Sequence, residues 1–208
     1  MTPGLAPLAR DILARAQGAR RYIVAVAGAP GSGKSTFAGD LIAALEAEAP
    51  GASALMPMDG FHLDNAVLDQ RGLRARKGAP ETFDVDGLAV ALDRVRAATG
   101  PVALPVFDRE LDLARAGARI VGPDQPVIVL EGNYVLLRDP PWSDLAPLLD
   151  RTLFLPVAED ELARRLTARW LHYGLSPGAA EARALDNDIP NARLVAARSR
   201  AADVIWRG

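Results

Sequence analysis

The sequence predicts an α/β fold built on a parallel sheet, and three observations carry that reading. Five short apolar runs, at residues 22–27, 53–58, 126–130, 151–155 and 202–206, punctuate the chain. Most of them are separated by stretches of helical periodicity, with helices expected at 34–49, 86–98, 159–171 and 178–185. Three of the runs close on Gly28, Asp59 and Glu131. Open α/β sheets bind their ligands beyond the carboxyl ends of strands, so these ends are expected to converge.

The chain has 208 residues, half of them apolar, which suffices for one domain with a small lid over about 159–188. A formal net charge of −2 with interspersed arginines leaves no strongly basic face, so a small-molecule ligand is expected and nucleic acid is not. No cysteine is present, which excludes disulfides and thiolate chemistry and is compatible with a cytoplasmic location. Leu5, Leu8, Ile12 and Leu13 fall at helical spacing among arginines, the pattern of a docking helix rather than an export signal. No later run is long enough to span a bilayer, and no membrane partner is expected. The sequence is compatible with a homodimer.

The first apolar run delivers the chain into Gly28-Ala29-Pro30-Gly31-Ser32-Gly33-Lys34-Ser35, a full G-x-x-x-x-G-K-[ST] loop continued by Thr36. Gly28, Gly31 and Gly33 admit backbone conformations that turn successive N–H groups toward one anion. Lys34 adds a mobile charge for β- and γ-phosphates, Ser35 a hydroxyl for Mg²⁺, and the helix that begins there its positive dipole end. ATP with Mg²⁺ is the ligand that these parts imply. The second run leads through Met58 into Asp59-Gly60-Phe61-His62, with Gly60 read as permitting a sharp turn. Asp59 suits a base that accepts a hydroxyl proton and aligns the nucleophile, although an Asp-Gly pair also simply forms turns. His62 fits either substrate contact or packing, and His172 is read as structural.

Residues 71–80 read as a basic loop rich in glycine and proline, and from Arg74 to Asp84 cations meet the aromatic Phe83. Arg76 and Lys77 could hold an anionic substrate group or remain solvated. Phe107 and Arg109, in Val106-Phe107-Asp108-Arg109-Glu110, offer a second substrate wall. In the next helix Asp86 and Gly100 are the expected start and stop signals. Glu131 closes a wholly apolar run and suits a Mg²⁺-directing acid, or a cap for the next turn. In 159–171, Leu162, Leu166 and Trp170 share a face, while Arg165 and Arg169 form an adjacent stripe able to close over phosphates; Glu161 is placed to pair with Arg165.

Together these segments resemble the P-loop kinase family that contains pantothenate kinase, uridine kinase and phosphoribulokinase. Asp59-Gly60-Phe61 is similar to the Asp-Gly-Phe segment of bacterial pantothenate kinases. Arg76-Lys77-Gly78-Ala79-Pro80-Glu81-Thr82-Phe83-Asp84 is similar to their R-K-G-x-P-E-x-[YF]-D stretch. The overall likeness is greatest to bacterial proteins labelled fructose transport system kinase. The resemblance implies a three-layer P-loop NTPase fold of the nucleotide/nucleoside kinase type, with a five-stranded parallel sheet in the order 2-3-1-4-5 and a helical lid. It implies Asp59 as the base and places Asn187, in Asn187-Asp188-Ile189-Pro190-Asn191, near the nucleotide base. The implied activity is ATP-dependent phosphorylation of a small alcohol such as a sugar, nucleoside or pantothenate-like compound; a nucleotide-driven switch without an acceptor is the competing reading.

Overall fold

The structure, a computed structural model, describes residues 4–207. Helix α1 (Leu5–Ala16) leads into β1 (Tyr22–Gly28), α2 (Lys34–Glu48) and β2 (Ser53–Pro57), after which a tight turn carries Met58–Phe61. Then come α3 (Asn65–Gln70), α4 (Val85–Ala97) and an antiparallel hairpin of β3 (Val102–Asp108) and β4 (Leu113–Val121). The chain returns through β5 (Val127–Gly132) and β6 (Arg151–Leu155) to α5 (Glu159–His172), α6 (Pro177–Arg183), α7 (Ile189–Arg198) and β7 (Val204–Ile205).

Five strands form one parallel sheet in the order β2-β5-β1-β6-β7. Counted among the sheet's own strands, this is 2-3-1-4-5. The period-2 alternation of β1 splits its side chains between two cores. Val24 and Val26 join Leu8, Ile12, Phe37, Leu41 and Leu45 beneath α1 and α2. Ile23, Ala25 and Ala27 join Leu88, Leu92 and Val95 of α4 with Leu104 and Val121 of the hairpin. Both sheet faces are therefore covered, which is why these strands read as unbroken apolar runs. Among the described residues no helix is long and apolar enough to cross a membrane.

Several local expectations need correction. Asp84, not Asp86, caps α4, its carboxylate accepting from the Gly87 N–H at 2.9 Å, and the helix ends at Ala97 before a left-handed Ala98 rather than at Gly100. The expected helix at 178–185 starts one residue earlier, capped by Ser176, and runs into a π-type turn over Ala184–Asp188. The 71–80 loop carries short 3₁₀ turns. The hairpin was not legible as strands because Pro105 interrupts β3 at a register shift and most of β4 is exposed.

Candidate active site

The parallel register sets the site. Glu131 lies level with Val26 of β1 on one side and Pro57 of β2 on the other, so β5 separates the strand that feeds the glycine loop from the one that feeds Asp59. In the loop, Gly31 and Gly33 take positive φ values of 80° and 84°, which side chains disfavour. A Cβ on Gly31 would also press on Leu166 at 3.1 Å, so α5 rests directly on the loop. Gly28 has a different reason to be glycine: its φ is ordinary, but a Cβ would meet Ser32 Oγ at 2.5 Å and the Leu155 carbonyl at 3.1 Å.

Lys34 opens α2, and its ammonium has no hydrogen-bond or ion-pair partner among the described residues. Burial lowers its pKa, while the nearby Glu131 and Asp59 oppose that shift. Ser35 Oγ donates to Glu131 Oε2 at 3.1 Å. Burial raises the Glu131 carboxyl, Lys34 working against that rise and Asp59 adding to it. A hydroxyl touching a carboxylate, beside a cradle of glycines and a lysine without a partner, is a donor set that fits a Mg²⁺-bound triphosphate.

Asp59 sits on the turn after β2, where its Oδ2 accepts from Arg109 Nη2 at 2.5 Å. Burial alone would raise this carboxyl, but the charges of Arg109 and Lys34, joined by His62 only while its ring is protonated at low pH, prevail and hold it below the usual range. His62 Nδ1 lies 2.8 Å from the Asp59 carbonyl, which can only accept, so Nδ1 carries the proton and Nε2 is left as an acceptor. Burial also lowers the His62 pKa, which keeps the ring neutral at pH 7. Its ring lies between Phe83 and Phe107, at centroid distances of 4.1 and 4.5 Å. Lys34, Asp59, His62, Phe107, Arg109 and Arg169 line one cavity.

The chain is 46% identical to a "putative fructose transport system kinase" from Silicibacter sp. TM1040, whose crystal structure superposes with a TM-score of 0.91 over 100% of both chains. It is 34% identical to the "Putative uridine kinase C227.14" of Schizosaccharomyces pombe over 196 residues, 89% of this chain and 83% of that protein. The chain belongs to the P-loop kinase family of the pantothenate and uridine kinases. A pantothenate kinase of Parvibaculum lavamentivorans is 33% identical over 169 residues, 77% of this chain, which spans about half (52%) of that longer protein. No protein-family model matches.

In this kinase the residues singled out from sequence divide into two groups. The cavity unites Lys34, Asp59, His62, Lys77, Phe107, Arg109 and Arg169. Arg165 approaches the loop by a 3.4 Å bond to the Gly31 carbonyl, and pairs with Glu161 at 2.7 Å. Arg76 does not line the cavity; it faces Glu81 and Asn187 at 3.3 and 3.4 Å. Asn187 is also outside it, bonding the Lys77 carbonyl at 3.4 Å. Phe83 is buried behind His62 against Tyr134 and Trp142. Lys77 reaches the cavity, but its ammonium is engaged by Asn65 and the Asp112 carbonyl, each at 2.6 Å, and by the Asp112 carboxylate at 3.0 Å. His172 is exposed at the end of α5.

Sequence reasoning missed Asn133, Trp170, Arg183 and Asp188 as cavity residues. Asn133, two residues beyond Glu131, is buried, and its Oδ1 has no hydrogen-bond partner. Its signal was the polar step directly after an apolar strand. Asp188 accepts from Trp170 Nε1 at 2.7 Å and pairs with Arg169 at 3.4 Å, fixing the arginine that burial has driven toward a lower pKa.

Proposed function

We propose that the protein transfers the γ-phosphoryl group of ATP to a hydroxyl of a small metabolite. The observation that carries this reading is the cavity lined in common by Lys34, Asp59 and Arg169, an ammonium, a carboxylate and a guanidinium that phosphate binding, base and lid roles would require together. Residues 28–36 would hold the triphosphate, with Ser35 and Glu131 toward Mg²⁺. The bound ion would neutralise charge on the phosphate oxygens. Asp59 would accept the acceptor's hydroxyl proton and aim its oxygen in line, while the neutral His62 would receive a second hydrogen bond at Nε2. Lys34, Arg165 and Arg169 would stabilise the transferring group, and residues 159–188 would act as the lid that excludes water. Phe107 and Arg109 would form the acceptor wall. Lys77 and Phe83 would support that wall from behind, and Arg76 and Asn187 would brace the loop that carries Lys77.

An ATP-consumption screen over sugars, nucleosides and vitamin precursors, followed by product mass, identifies the acceptor. With that acceptor, Asp59→Asn should lower kcat by about 10²–10⁴-fold while ATP affinity is kept. The asparagine preserves shape and can still receive Arg109, but it cannot take a proton. Unchanged turnover removes Asp59 from the base role, and ATP hydrolysis that no acceptor accelerates favours a switch.

A further inference from the structure

We propose that Arg183 is a positioning residue: its guanidinium latches the lid onto the loop that carries Lys77 and, through the Trp170 indole and Asp188, sets where Arg169 stands over the transferring phosphoryl group. This inference rests on the kinase reading above, which gives Arg169 its task, and adds the part that holds Arg169 in place.

Arg183 ends α6 and lines the cavity of Lys34 and Asp59. Its Nη1 donates to the Ala75 carbonyl at 2.7 Å and its Nη2 to the Lys77 carbonyl at 2.8 Å. That loop is a fixed post. The Lys77 ammonium is tied to Asn65 and Asp112, and the hydroxyl of the fully buried Tyr134 donates to the Gly78 carbonyl at 2.5 Å. A planar fork on two backbone carbonyls of one anchored loop makes two charge-assisted hydrogen bonds, which hold the end of α6 against the body of the protein.

From this latch the contacts lead to Arg169. The Arg183 guanidinium lies 5.3 Å from the centre of the Trp170 indole, whose Nε1 donates to Asp188 at 2.7 Å. Asp188 in turn pairs with Arg169 at 3.4 Å, and Arg169 Nε is buried with no partner of its own. The places of Asp188 and the indole therefore decide where the Arg169 head group sits. The π-type turn over Ala184–Asp188 makes this grip possible. At about 3.6 residues per turn, positions five apart fall on different sides of a helix, whereas an i→i+5 turn brings them together, so Arg183 and Asp188 both reach Trp170.

The test uses the full chain. Backbone amide exchange, read by mass spectrometry without nucleotide or acceptor, should rise by about tenfold or more across residues 162–172 of α5 in Arg183→Met, while β1 at 22–28 keeps the parental rate, a pattern of local release rather than unfolding. With ATP, Mg²⁺ and the acceptor found by the screen above, Arg183→Met should lower kcat by about tenfold to 10²-fold and leave KM for ATP within about threefold, because the glycine loop and Lys34 are untouched. Arg183→Lys keeps the charge but neither the planar fork nor the flat face, so its kcat should fall to about a tenth of the parent's or less. In an Arg169→Met background the Arg183→Met change should cost no more than about twofold further, since both act through one cation. Unchanged exchange across 162–172, parental kcat in Arg183→Lys, or losses that multiply in the double variant overturns the proposal; multiplied losses would assign Arg183 to direct contact with a ligand. A screen that yields no acceptor defeats the kinase reading, and the exchange measurement still upholds or overturns the latch.

Discussion

Gly60→Ala probes how the hairpin is seated against the Asp59 turn. Gly60 has no left-handed backbone; its requirement is space, because a Cβ there would lie 2.7 Å from the Pro105 carbonyl carbon of β3 and closer still to the oxygen. Ordinary C···O contacts begin near about 3.3 Å, so the backbone of β3 has to retreat by about 1 Å. Overpacking of this kind costs about 1–3 kcal/mol. For a chain of this length each kcal/mol lowers Tm by about 2–4 °C, so a fall of about 2–12 °C is expected. The retreat also draws Phe107 and Arg109 away from Asp59, and about 1 Å of misplacement reduces turnover by about 10²-fold. The glycine loop is untouched, so ATP affinity should stay within about twofold of the parent, which differential scanning and ATP titration measure beside acceptor kinetics. Gly39→Ala is the control: its added methyl meets nothing within 4 Å on the exposed face of α2, so it should stabilise by up to about 1 kcal/mol. A Gly60→Ala protein with unchanged Tm and acceptor kinetics refutes the reasoning.

Lys34→Ala should weaken ATP binding and slow phosphotransfer by about 10²-fold or more, checked by nucleotide titration and ADP release; survival of both would end the phosphate-cradle account. Asn133→Ala should lower kcat/KM for the acceptor by about tenfold, because the buried Oδ1 has no protein partner and is placed to meet a ligand; an unchanged value removes it from the site. His62 makes stability depend on pH. Burial holds its folded pKa below the ordinary 6.5, so the unfolded chain takes up the proton first as pH falls. Stability is therefore full above about pH 6.5 and declines below it, and His62→Phe should flatten that part of the denaturation profile.

The loop at residues 28–36 was legible because its chemistry is local. Glycines, a lysine and a hydroxyl at fixed spacing after an apolar strand define the anion cradle without help from the rest of the chain. Asp59 and Glu131 were legible for a related reason: a strand buried on both faces shows as an apolar run, and the residue where it stops marks the carboxyl edge of the sheet. The roles of Gly28 and Gly60 were only half visible. Sequence marks them as glycines, but the contacts with Ser32, Leu155 and Pro105 that require them come from other elements.

By itself, then, the amino-acid order determined a parallel α/β sheet, a phosphate loop and two acids at strand ends, since each depends on neighbours within a few positions. Tertiary structure decided which cations face those acids. Arg76 turned to Glu81 and Asn187, Lys77 to Asp112, and Arg109 to Asp59 across 50 positions of chain. Long side chains of like charge have the same local signature, and only the crossing of β5 between β1 and β2, with the hairpin folded over Asp59, determines which carboxylate each one can reach.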